Sequence, residues 1–183
     1  MSTMKKKVFI SINIVDKIRH RLIKNCEKWQ NLPVKWTKED NLSVRLFFLG
    51  YIDDNVIFEI CQKISKVIRE AEFFDLKFEK ISLFPDINKP QEFRVIGKAS
   101  KELKNLYEMI EKELNIFVIS KKFFSPSILL GKIKKEKWEK LKNKPFINEK
   151  ISFSVGVEAV DIIANHFNKD KNKFILVESF PLK

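Results

Sequence analysis

Apolar and polar positions change period several times along the chain, and each change marks an element. Residues 7–14, KVFISINI, alternate, with Val8, Ile10, Ile12 and Ile14 on one face; that pattern predicts a first strand with a buried side. Asp16 then stands where a helix cap belongs, and Ile18, Leu22, Cys26 and Trp29 recur at helical spacing. Asn31-Leu32-Pro33 ends that helix, and a short strand at 34–36 follows. Alternation returns at 41-NLSVRLFFLG-50. It puts Leu42, Val44, Leu46 and Phe48 on one face and Ser43, Arg45, Phe47 and Leu49 on the other, with Gly50 as the break. Asp53 and Asp54 open a second helix whose apolar row is Val56, Ile57, Ile60, Ile64, Val67, Ile68 and Ala71. Segments 74–81 and 92–97 alternate again, and a third helix follows Ser100 with Leu103, Leu106, Tyr107, Ile110 and Leu114 inward. A strand is entered through Pro126. A short surface helix is expected around Trp138, and two last strands, roughly 153–164 and 173–179, flank the turn NKDKN.

Strands and helices are thus intermixed, and several strand pairs are linked closely enough to be antiparallel. The fold class this predicts is α+β, with helices outside the sheets. A length of 183 residues suits one domain, 1–183, which can hold two small lobes on a shared core. No Gly/Ser-rich linker divides it. A weak echo supports two lobes: Asn-Leu-Ser-Val-Arg-Leu and Ser-Pro-Ser-Ile-Leu-Leu share Ser–aliphatic–x–Leu, each on a strand after a helix.

Charge adds one partner class. The net charge is +12, which favours a polyanion such as RNA. With 31 lysines against 5 arginines, the same excess also reads as a bias of the whole composition. No apolar run reaches the ~18–20 residues of a membrane span. The opening MSTMKKKVFISINIVDK imitates a signal peptide, but its apolar run alternates with Ser11 and Asn13 and Asp16 follows at once. The expectation is a cytoplasmic protein, monomeric, with no membrane partner. Cys26 and Cys61 form neither a CxxC pair nor a metal cluster and read as small buried hydrophobes. No cofactor or metal is implied.

Two stretches carry a resemblance. One is 36-WTKEDNLSVRLFFLGYID-53; the other is 124-FSPSILLGKI-133. Together with the first strand, VFISINI, and the closing 177-VESFPLK-183, they are similar to the 2H phosphoesterase superfamily, in particular its branch called 2′-5′ RNA ligase or RNA 2′,3′-cyclic phosphodiesterase. The frame is Trp36, Asn41, Leu42, Leu46, Phe48, Leu49 and Gly50, then Phe124, Pro126 and Leu130. The resemblance implies two pseudo-twofold-related lobes of antiparallel sheet, each offering a His-x-Thr strand to a central cleft. One imidazole would act as base and the other as acid, and the threonines would hold phosphate oxygens.

The departure from that pattern decides the chemistry expected. Where such proteins have His-x-Thr, this chain has Ser43-Val44-Arg45 and Ser127-Ile128-Leu129. No catalytic residue is assigned, because a serine is neither a useful acid nor a useful base near neutral pH. His20 and His166 read as surface residues and offer no rescue. The candidates for holding phosphate or RNA are Ser43, Arg45, Ser127, Leu129 and Lys132. A guanidinium can grip phosphate with two parallel hydrogen bonds; in the alternative, Arg45 merely pairs with a carboxylate. Strand parity puts Lys132 on the face opposite Ser127. Phe47 and Phe124 are candidates for stacking on bases or for the core. Three functions follow: a catalytically silent binder of RNA ends or of nucleotides with a terminal or 2′,3′-cyclic phosphate, an active phosphodiesterase with altered residues, and a scaffold with a vestigial cleft.

Overall fold

The computed structural model describes residues 5–115, 125–168 and 171–183, without the side chains of 166–168 and 171–172. Nine strands lie in one antiparallel sheet among these residues. They are β1 (Lys6–Asn13), β2 (Val34–Trp36), β3 (Ser43–Ile52), β4 (Phe74–Phe84), β5 (Glu92–Gly97), β6 (Ser127–Ile133), β7 (Asn148–Val157), β8 (Ala159–Asn168) and β9 (Lys171–Pro181). The helices are α1 (Asp16–Cys26), α2 (Asp54–Ile68), α3 (Lys101–Glu113) and the short α4 (Lys135–Glu139).

The strand order β7-β4-β5-β6-β3-β1-β8-β9 divides evenly at the β6–β3 junction, with β2 added to β6. Four strands stand on each side. Each half contains a strand, a helix and a central strand: β1-α1-β3 in one and β5-α3-β6 in the other. This is the α+β, two-lobed arrangement expected of the sequence. The apolar rows of the helices (Leu22 and Cys26, Ile57, Ile60 and Ile64, Leu103, Leu106 and Ile110) join the sheet side chains in one buried cluster. In the second lobe Trp29, Trp36 and Trp138 all pack around Phe93. Cys26 and Cys61 are free and buried, as expected, and burial pushes both thiols up to about 12.

Several local expectations are corrected. Val15, not Asp16, occupies the cap position of α1, and Asp16 lies in the first turn, where its charge complements the helix dipole. Ser100 does cap α3, accepting from the Leu103 amide at 3.1 Å. Three strands, not two, close the chain. The break between β7 and β8 is the single residue Glu158, where the chain leaves β4 in one lobe to pair with β1 in the other. No glycine or proline marks that crossover. α4 lies on the surface as expected, and its one buried side chain, Trp138, anchors it to the core. Gly50 does not end β3. It adopts φ 90°, a conformation suited to glycine, beside a bulge where Val8 faces Gly50 and Phe9 faces Phe48. No helix among the described residues is long and apolar enough to cross a membrane.

Candidate functional site

The site lies where the two lobes join. Val44 of β3 stands opposite Ile128 of β6, and both are fully buried. The two-residue period of a strand therefore raises their neighbours on the other face. Arg45, Ser127 and Leu129 line a cleft of about 570 Å³ there, within the roughly 300–1,000 Å³ usual for small-molecule sites. Four cations surround it: Lys7, Arg45, Arg94 and Lys132. Glu92 is the one carboxylate among the described lining residues, and Phe9, Phe48 and Phe84 form apolar walls.

The two guanidinium groups are held differently. Arg45 is partly buried between two rings, its central carbon 4.5 Å from the Phe9 centroid and 5.1 Å from that of Phe174. It has no ion pair or hydrogen bond with any described residue, so the carboxylate partner considered from sequence does not occupy it. Arg94 is engaged. Its Nε and Nη2 each lie 2.6 Å from Glu92 Oε2, its Nη1 donates to Ser127 Oγ at 3.2 Å, and it sits 4.2 Å over Phe84.

The electrostatics point the same way. Burial pulls the Lys7 ammonium below its usual value, and Lys132 and Arg45 add to that shift. Burial also lowers Arg45, with Glu92 opposing and Arg94 adding. Like charges that disfavour one another across a partly desolvated cleft are relieved by an anion.

Not every expected residue arrives where parity placed it. Lys132 does line the cleft beside Ser127 and Leu129. The pairing of β6 with β5 skips Leu130, since Phe93 faces Gly131 while Arg94 faces Leu129; that bulge turns the strand by one residue and reverses the face of Lys132. β3 is shifted likewise, skipping Leu46 and Leu49 against β1. As a result Phe48 stands in the cleft, 4.9 Å from Phe9, while Leu49 is buried. Phe47 touches the cleft but is 4% exposed and stacked on Tyr107 at 4.2 Å, so it is not an open platform for a base. Phe124 lies outside the described residues. Ser43 lines a smaller pocket next door, not the cleft itself.

Arg94, Glu92 and Lys7 were missed from sequence, although a signal existed. In EFRVIG, Phe93 and Val95 claim the core face, which leaves Glu92, Arg94 and Ile96 for the other. His20 is exposed on α1, 3.7 Å from Glu39 and away from the cleft. No imidazole lines the cleft among the described side chains, and no cluster among them could hold a metal.

The same two-lobed antiparallel fold is found in solved structures. A protein of Thermus thermophilus matches with a TM-score of 0.82 at 16% identity, covering 96% of this chain and 97% of that one. The E. coli LigT structure complexed with 3′-AMP matches with a TM-score of 0.77 at 17% identity over 98% of this chain and 99% of that one. Among curated proteins, the RNA 2′,3′-cyclic phosphodiesterase of Thermotoga maritima is 28% identical over 140 residues, 74% of this chain and 75% of that protein. That of Aquifex aeolicus is 21% identical over 130 residues, 69% and 68% of the two chains. No family model matches. These relatives and this fold support the resemblance to the 2H phosphoesterase family carried by the sequence.

Proposed function

We propose that the cleft binds phosphorylated RNA ends, or a nucleotide with a terminal or 2′,3′-cyclic phosphate, and that it has lost the turnover expected of the family. One observation carries this reading: Arg45 is partly buried, has no ionic partner among the described residues, and faces three further cations against the single carboxylate Glu92. Its rings hold the guanidinium in place, and its hydrogen-bonding edge is unused. The relatives' name, RNA 2′,3′-cyclic phosphodiesterase, and the 3′-AMP in a structural neighbour agree with a phosphate ligand.

The loss of turnover follows from proton chemistry. Each general acid or base typically supplies ~10²–10⁴-fold in rate. With serines at both positions, the shortfall is about 10⁴–10⁸-fold, less any overlap between the two roles. The protein so described is a monomer of one two-lobed domain, 1–183, working in the cytoplasm. An open cleft of about 570 Å³ also speaks against a vestigial one closed by Leu129 and Phe47.

The test is incubation of a short RNA ending in a 2′,3′-cyclic phosphate with the wild type and with Arg45→Ala, followed by binding of the same RNA. No conversion above background, with binding that Arg45→Ala weakens, is the expected result. Conversion that depends on Arg45 would show an active phosphodiesterase with altered residues. No binding by either protein would leave the scaffold function.

A further inference from the structure

Beside the cleft lies a second pocket of about 190 Å³. It is too small for a whole ligand by the usual range of roughly 300–1,000 Å³, but it can take one ring system. Strand register explains its position. Ser11 of β1 stands opposite both Arg45 of β3 and Asp161 of β8, and Asn13 stands opposite Ser43. The face that presents Arg45 to the cleft thus continues into Ser43, Ser11 and Asp161. Phe174 is the shared wall: it lines the small pocket and lies 5.1 Å from the Arg45 guanidinium.

The polar groups there are buried and incompletely used. Ser43 Oγ and Arg19 Nε are shielded from solvent and have no hydrogen-bond partner among the described residues. Asp161 is 9% exposed and Ser11 is 1% exposed. Asp161 Oδ1 accepts from the Ser179 hydroxyl at 2.6 Å, and no described cation pairs with the carboxylate. Burial raises its proton affinity, an effect that the Ser179 hydrogen bond opposes. Buried polar atoms without partners cost free energy, so such a group in a pocket is a place for a ligand to compensate.

We infer that this pocket receives the nucleobase of the nucleotide whose phosphate lies on Arg45, and that it favours bases bearing an exocyclic amino group. The inference rests on the phosphate-binding reading of the cleft and specifies its ligand. A base is a flat apolar body with a polar edge. Phe174, Ile163 and Leu176 supply the apolar walls, and Ser11, Ser43 and Asp161 supply the edge. A second phosphate does not suit the pocket, because Asp161 and Asp40 line it against one cation, Arg19, which already pairs with Asp16 at 3.5 Å. A carboxyl oxygen accepts from an amino group, which cytosine has and uracil lacks.

Calorimetric titration with cytidine 3′-monophosphate, uridine 3′-monophosphate and inorganic phosphate tests this. In the wild type, the cytidine nucleotide should bind about 10–100-fold more tightly than phosphate or the uridine nucleotide, the range of one hydrogen bond to a carboxylate. Asp161→Asn should erase or reverse the preference for cytidine over uridine, since its amide nitrogen donates where the carboxylate accepted. Ser43→Ala, a milder change that serves if Asp161→Asn does not fold, should lower the ratio of nucleotide to phosphate affinity. Equal binding of all three ligands would overturn the inference while leaving the phosphate cleft standing. No binding of any would overturn both.

Discussion

The two halves of the cleft place the same kinds of groups but connect them differently. In the first lobe the guanidinium is on the central strand itself, at Arg45, and has no ionic partner among the described residues; the carboxylate, Asp161, sits two strands away and also has no described cation. In the second lobe the guanidinium comes from the neighbouring strand, at Arg94, and is tied to Glu92 and Ser127. The first half therefore has charge to offer a ligand. In the second half Glu92 neutralises Arg94, which leaves Lys132 as its charge on offer, and Arg94 serves to shape and hold Ser127. Pseudo-symmetry of backbone does not carry symmetry of function, because each half satisfies its polar groups by its own cross-strand neighbours.

The largest expected effect tests the first half directly. Arg45→Ala should weaken binding of an RNA with a 2′,3′-cyclic phosphate by about 10–100-fold, the worth of hydrogen bonds to a charged group. It should also flatten the dependence of log affinity on log salt by about 0.7 per lost phosphate contact. Titrations at two salt concentrations measure both. An unchanged affinity would mean that the asymmetry between the halves has no bearing on binding.

Gly97→Ala tests how tightly the second half is set. An added Cβ would lie 2.7 Å from the Lys77 carbonyl and 3.1 Å from Pro126 Cγ, at the point where the Gly97 amide donates to the Pro126 carbonyl and β6 begins. Overpacking of this kind costs about 1–3 kcal/mol. Thermal unfolding should shift down by roughly 2–4 °C per kcal/mol at this chain length. An unshifted midpoint would show that the entry to β6 is loosely held.

Asp161→Asn sharpens the contrast between the two carboxylates. Burial raises the Asp161 pKa, so protonation favours the folded form. That stability is fully present below the unfolded carboxyl value of about 3.9 and is lost as pH rises through the folded value. Asparagine stays neutral and can still accept from Ser179. The variant should melt higher than the wild type at pH 7–8, with the gain vanishing near pH 3. Equal midpoints at both pH values would mean that Asp161 carries no uncompensated charge. Glu92→Gln, the matching change in the second half, has the smallest effect expected. Freeing Arg94 from its ion pair should tighten phosphate binding by a few-fold at most, as for a partly exposed pair. Weaker binding would show that Glu92 holds Arg94 in a position the ligand needs.

Much of this was legible in the chain. Alternation at KVFISINI and EFRVIG and the helical rows after Asp54 and Ser100 defined the elements, since an apolar face has to meet a core whatever the topology. The two Ser–aliphatic–x–Leu stretches marked the strands that meet at Val44 and Ile128. The absence of imidazole from both was plain from residue identity. Tertiary structure alone decided the rest. Bulges at Leu46, Leu49 and Leu130 shifted the face of Phe48 and Lys132, because a one-residue slip reverses every side chain beyond it and depends on the partner strand. The crossover at Glu158 carried no turn residue because the neighbouring strands, not a local turn preference, redirect the chain. The pairing of Arg94 with Glu92, which leaves Arg45 the less encumbered cation, depends on side chains brought together across strands, and no local period encodes that contact.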